Sequence, residues 1–376
     1  MKGSISGKAT MKRISILLSV FCTCFTLAAW PQIITFDVPG AGTGAGQGTT
    51  AWDMNEAAAI TGFYLDSNNV FHGFLRSPMG EITEFDCPQG GTGAYQGALP
   101  TDVNSWGAVV IQCNNAANAW VGYLRSPDGT FTEFNPQGAG TGANQGTSPA
   151  DINDSGLISG YYVDSNNVNH GFVRSPDGRI SEFNAPGAGV GAGQGTLMIV
   201  GWSLNPEGAI YSPYIDSNNV AHAYLRSPQG AITQFSARGA GTGAGQGTAC
   251  GSINAAGTTA GCFIDAGSIF HGYLRTPDGH VTEFDARGAG TGAGQGTLTY
   301  GINAAGAIAG VYVDANNVSH GFVRSPDGRI SEFNAPGAGN GAYQGTTAYD
   351  INAEGAVAGT YVDANNVSHG FLRLPF

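Results

Sequence analysis

The sequence predicts an all-β fold, a seven-bladed β-propeller of four-stranded antiparallel blades, with the ring closed by an N-terminal strand that completes the last blade. Three observations predict it. A unit of about fifty residues occurs seven times, turn signals cut each unit into four strand-like segments, and the two chain ends are complementary parts of one unit.

The units align on the phenylalanine of Ile-Thr-Glu-Phe and its variants, at Phe36, Phe85, Phe134, Phe183, Phe235, Phe284 and Phe333. Successive spacings are 49 residues, with one of 52 between Phe183 and Phe235. Helices are disfavoured by composition: 61 glycines and 11% charged residues, where each glycine costs a helix roughly 1 kcal/mol relative to alanine. Unit six shows the four strands well. Strand a is Gly296-Thr-Leu-Thr-Tyr-Gly-Ile-Asn, b is Ala307-Ile-Ala-Gly-Val-Tyr-Val-Asp, c is Val318-Ser-His-Gly-Phe-Val-Arg and d is Arg329-Ile-Ser-Glu-Phe-Asn.

Asn303-Ala-Ala-Gly306 joins a to b and Ser325-Pro-Asp-Gly328 joins c to d, each with a side-chain acceptor at the first turn position and glycine at the fourth. Asp314-Ala-Asn-Asn317 joins b to c, where asparagine tolerates the left-handed backbone of a tight hairpin. The last unit stops after strand c, at Phe371-Leu-Arg-Leu-Pro-Phe376, and Ile33-Ile-Thr-Phe-Asp37 supplies the missing strand d. The ends therefore predict a closed ring; a solenoid would need polar capping repeats.

Residues 1–30 read as a cleaved secretory signal peptide and 31–376 as a single propeller domain. Lys12 and Arg13 precede an apolar run from Ile14 to Phe25, followed by Ala28 and Ala29, with Met11 an alternative start. The run is shorter than the roughly 20 residues of a membrane span. Cleavage would take the formal charge from −12 to −16 by removing Lys2, Lys8, Lys12 and Arg13 and no acid. Nucleic acid is thereby excluded as a partner, because phosphate affinity rests on clustered Lys and Arg. The expectation is a monomer that is secreted, periplasmic or on the cell surface.

In such a compartment disulfides form. Cys250 and Cys262 flank the turn Asn254 to Gly257 and would face each other in a hairpin with a one-residue bulge. Cys87 and Cys113 are the remaining pair, with free buried thiols the alternative for both.

No cofactor or metal pattern is present. The segment Gly-Thr-Gly-Ala-Gly-Gln-Gly-Thr, as at Gly241 to Thr248, has neither the lysine nor the following helix of a phosphate loop. It reads as a crossover from strand d of one blade to strand a of the next. Its glutamine, at Gln47, Gln96, Gln145, Gln194, Gln246, Gln295 and Gln344, precedes strand a in every unit. Seven amides around a channel mouth would suit sugar hydroxyls or a peptide; the alternative is that each glutamine ties down its own loop.

His72, His170, His222, His271, His320 and His369 occupy one place in six different units, too dispersed to share a metal ion. Counting across the c–d turn sets His72 opposite Asp86, His170 opposite Asn184 and His369 opposite Asp37. Arg76 and its six equivalents at the end of strand c are expected to pair with strand-d acids such as Glu84. Asp66 and its equivalents cap the b–c turns.

A specific ligand site is expected where the repeat fails. Unit four inserts three residues before Asn205, in Leu197-Met-Ile-Val-Gly-Trp-Ser-Leu, making Met198 and Trp202 candidate channel contacts. Unit two replaces the histidine by Val121 beside Trp120 and is read as shifting its second strand to Val109 through Cys113.

Gly301-Ile-Asn-Ala-Ala-Gly306, Gly310 with Tyr312 and Asp314, and His320-Gly-Phe resemble the HAF-type extracellular repeat family of bacterial proteins. That resemblance spans nearly all of the chain after residue 30 and implies an extracytoplasmic repeat protein without catalytic residues to carry over. The Gly-x-Ile-Thr-Glu-Phe strand is also similar to propeller repeats of virginiamycin B lyases, though the Trp-Phe-Thr-Glu segment of those repeats is missing. The leading expectation is a non-enzymatic, exported propeller that binds carbohydrate or peptide on its glutamine-ringed face. The alternatives are a lyase or hydrolase at the channel mouth, using His280 or His271, and a purely structural envelope protein.

Overall fold

The computed structural model describes residues 32–197 and 203–375, together with Met1 and Gly3. The expected leader and the candidates Met198 and Trp202 fall outside the described residues. Pro31–Pro375 forms one compact unit.

In unit one the strands are a (Gly48–Met54), b (Ile60–Leu65), c (Phe71–Arg76) and d (Ile82–Phe85). They pair antiparallel in chain order. The later units repeat that order, with strand a of unit four described only as Gly195–Thr196. Where the last unit has only Gly345–Ile351, Val357–Val362 and Ser368–Arg373, the strand Ile33–Phe36 pairs antiparallel with the third, from Ile33 opposite Arg373 to Phe36 opposite Gly370. The fold is all-β, a closed and propeller-like sheet.

Hydrogen bonds bear out the turn readings. Gly306 N donates to Asn303 O at 2.9 Å, Gly328 N to Ser325 O at 2.8 Å and Asn317 N to Asp314 O at 3.0 Å, with Asn317 at a φ of 62°. Successive units meet where strand a passes the start of the preceding strand c, as Gly97 pairs parallel with Phe71. The glycine after each glutamine is required there. Gly97 has a φ of 111°, and a Cβ would collide with the Phe71 carbonyl oxygen.

The core lies between units rather than within one sheet. Ile60, Tyr64 and Phe74 of unit one pack with Ala358 and Leu372 of unit seven, and six similar clusters follow. A ladder of asparagines joins the same interfaces. Asn55 Nδ2 donates to Asn104 O at 3.0 Å, Asn104 to Asn153 O, Asn153 to Asn205 O, Asn205 to Asn254 O, Asn254 to Asn303 O and Asn303 to Asn352 O. Asn352 then donates to Glu56 O at 3.4 Å, returning the ladder to its first unit. The Oδ1 of Asn55 meanwhile accepts from Ala57 N and Ala59 N, so one side chain both caps its turn and reaches its neighbour.

Two expectations are corrected. The strand-c arginines do not pair with strand-d acids: Arg76 lies 4.9 Å from the Phe36 ring centroid, and all seven arginines stack in this way on the strand-d phenylalanine of the preceding unit. A guanidinium on an aromatic face keeps an electrostatic partner where burial makes a solvated carboxylate hard to reach. Glu84 instead accepts from Tyr64 Oη at 2.6 Å. Strand b of unit two is not shifted either, because Val109 faces Arg125 as Ile60 faces Arg76. Cys113 simply stands where unit one has Tyr64.

Candidate functional site

Each glutamine is folded back into its own crossover loop. Gln96 Oε1 accepts from Gly93 N at 3.0 Å, while Nε2 donates to Ala116 O at 3.2 Å and Asn118 Oδ1 at 3.0 Å in the b–c hairpin. Gln145, Gln194, Gln295 and Gln344 repeat all three bonds. Gln47 and Gln246 each keep the glycine contact and one hairpin bond. Where all three bonds form, both amide protons of the glutamine are spent inside the protein. The glutamines therefore glue crossover to hairpin, and any ligand on this face must be held chiefly by other groups.

Those groups were missed in the sequence. The residue before each glutamine has a positive φ, and in four units it is Gly46, Gly193, Gly245 or Gly294. In unit two it is Tyr95, with a φ of 62°, and in unit seven Tyr343, with a φ of 65°. A bulky side chain in this region is a backbone outlier costing of order 1 kcal/mol or more. Both rings are exposed, at 60% and 84%. The signal available in sequence was an aromatic interrupting a glycine position. The b–c hairpins beside them present exposed hydroxyl and amide side chains: Tyr95 N donates to Asn69 O, next to Ser67 and Asn68, and Tyr343 N to Asn317 O, next to Asn316.

The histidines hold register as counted. His72 Nδ1 lies 2.6 Å from Asp86 Oδ1, His170 Nδ1 3.0 Å from Asn184 Oδ1 and His369 Nδ1 2.9 Å from Asp37 Oδ1. Each stacks on the strand-b aromatic beside it, as His72 does on Tyr64 with centroids 4.9 Å apart. For His271, burial opposes ionisation, but Asp285 and Asp265 on its two sides outweigh it and hold its pKa above the ordinary value. His280 sits in a c–d turn, where its backbone N–H donates to Asp278 and its carbonyl closes the turn.

Both disulfides form. Cys250 faces Cys262 with Cα atoms 5.0 Å apart, one residue past a bulge in strand a, and Cys87 joins Cys113 with Cα atoms 6.0 Å apart. The second bond fills the place where Val38 and Tyr64 pack in unit one.

At the other end of the strands, residues of all seven units, from strand a and the a–b turns, line a cavity of about 230 Å³. One position of strand a carries Asp53, Asp102, Asp151, Ser203, Ser252, Gly301 and Asp350 in turn. The four acids thus occupy four consecutive units, seven, one, two and three. Asp53 accepts from Val103 N at 3.2 Å, Asp102 from Ile152 N at 2.6 Å and Asp151 from Ser203 N at 3.0 Å, each reaching into the next unit. Burial first, then repulsion among the acids, holds the pKa of Asp53 and Asp151 well above the usual carboxylate range. Burial raises Asp350 to about 7.

No protein-family model matches the chain, and no curated protein matches it in sequence. Solved structures do match in fold. A lectin from Burkholderia pseudomallei, BP39L, aligns at 9% identity over 87% of this chain and 97% of its own, with a TM-score of 0.56. A prolyl endopeptidase aligns at 11% identity and a TM-score of 0.52 over 87% of this chain, which spans 50% of that longer protein. The six-bladed β-propeller lectin of Aleuria aurantia aligns at 14% identity over 81% of this chain, with a TM-score of 0.40. At these identities the likeness is one of fold alone.

Proposed function

We propose that the protein is an exported, non-enzymatic binding propeller of seven four-stranded blades, closed by Ile33–Phe36, that recognises carbohydrate on its glutamine-side face. The observation that carries this reading is the pair of exposed tyrosines, Tyr95 and Tyr343, held at left-handed positions that glycine fills in four other units. Backbone strain retained under a solvent-facing aromatic ring points to use of the ring. An aromatic face packs on the C–H surface of a sugar, and the surrounding serine and asparagine side chains offer hydrogen bonds to its hydroxyls. The two disulfides suit an oxidising compartment.

The test is a glycan array followed by calorimetry on the hit, with Tyr95→Gly and Tyr343→Gly combined. Glycine relieves the strained φ, so the thermal midpoint should hold or rise while binding falls about tenfold or more. Undiminished binding, or an array with no signal above background, would sink the proposal.

A further inference from the structure

Among the described residues, the cavity at the a–b turn end is lined by six acids, Asp53, Glu56, Asp102, Asp151, Asp154 and Asp350, and by no lysine, arginine or histidine. Its asymmetry matters more than its charge. The acids at the repeated strand-a position fill one arc, from unit seven round to unit three, and the remaining arc is built from Ser203, Ser252 and Gly301. Ser203 turns its hydroxyl onto Asp151. Ser252 does not have that option. It is 2% exposed, lines the same cavity, and its Oγ has no hydrogen-bond partner among the described residues. A buried hydroxyl left without a partner costs about 1–3 kcal/mol, a cost relieved when a ligand supplies the missing bond. Gly301, lacking a side chain, leaves space over which the Asp350 carboxylate extends, since a Cβ there would meet Asp350 Oδ1 at 2.6 Å.

We propose that this end of the cavity is a binding site for an organic cation, the ammonium or guanidinium group of a small amine or of a basic side chain inserted into the channel. A cation there would relieve the repulsion among Asp53, Asp102 and Asp350 and would donate to Ser252 Oγ from the opposite side. Among the described residues no three acidic, histidine or cysteine side chains converge as metal ligands, which favours a hydrogen-bonding cation over a metal ion. The volume, about 230 Å³, holds an aliphatic chain with its charged end but not an oligosaccharide. The reading is independent of carbohydrate binding, because the a–b turns lie at the opposite end of the strands from the crossover loops.

Calorimetry on the full chain at pH 8 tests it, with n-butylamine and agmatine as cationic probes, n-butanol as the neutral counterpart and calcium chloride as the metal. The amines should bind and n-butanol should not. Asp102→Asn should weaken amine binding about tenfold or more, and Ser252→Ala about threefold. Because Ser252 Oγ has no hydrogen-bond partner among the described residues, Ser252→Ala should hold or raise the thermal midpoint, so it decides the question even if Asp102→Asn fails to fold. Binding of neither amine, equal binding of n-butanol, or binding of calcium alone would overturn the proposal.

Discussion

Gln47 and Asp53 stand six residues apart on one strand entry, and their equivalents behave in opposite ways around the ring. The glutamine is the same in all seven units, and in each it bonds only to groups its own and the adjoining hairpin supply. The strand-a position varies among Asp, Ser and Gly, and its side chains reach into the neighbouring unit and the cavity. Identity in every repeat marks architecture that each unit needs for itself. Variation marks the places where the ring stops being symmetric, and there a single site for a ligand smaller than the ring can form.

The comparison can be broken first where architecture is split between the chain ends. Removing Ile33 to Asp37 deletes a whole strand, the Phe36 ring under Arg76 and the Asp37 partner of His369. The loss should exceed about 4 kcal/mol, in the range of large core deletions. A thermal midpoint unchanged by the deletion would show that the last unit does not depend on this strand.

A sharper version sets two residues of one strand against each other. Asn254→Ala removes the cap on Thr258 N and the bond to Asn303 O, and should cost about 2 kcal/mol by urea denaturation. Ser252→Ala, two residues earlier at the varying position, removes an unpartnered buried hydroxyl and should hold or raise stability. Similar losses from both would erase the distinction between invariant and varying positions.

The smallest effect separates them by pH. Asp350, raised to about 7 from an ordinary 3.8, contributes stability that is complete below the unfolded value and is lost as pH rises through about 7. The b–c turn aspartates have the opposite sign. Hydrogen bonds from the turn amides outweigh partial burial and lower Asp66, Asp164, Asp216, Asp265, Asp314 and Asp363, so their contribution is present above about 3.8 and lost on acidification. Stability should peak between the two ranges. Asp350→Asn should flatten the decline from pH 5 to 8 in a series of urea midpoints and leave the acid limb alone; an unaltered upper limb would remove Asp350 from the account.

Much was legible before the structure because it is local. The turns Asn303 to Gly306 and Ser325 to Gly328, the histidine partners across the c–d hairpin and the Cys250–Cys262 pair all follow from counting along antiparallel strands, whose register a turn sets. The arginines show where counting fails. Glu84 is within diagonal reach of Arg76 along the sheet, but Phe36 approaches from the neighbouring unit, and no spacing within a repeat encodes that approach.

The sequence by itself determined the seven-fold unit, its turns, the all-β fold, the complementary ends and the cysteine pair of the fifth hairpin, because each depends on turn chemistry and period within about fifty residues. Only the tertiary structure decided what the repeated polar residues do. Glutamine became loop glue, asparagine a ladder between units, arginine a lid on phenylalanine, and a varying strand position an acidic arc. The last three roles arise where one unit packs on the next, and there the partner of a side chain is chosen by proximity in space, about 40–50 residues away along the chain; the glutamine role is set within its own loop and hairpin.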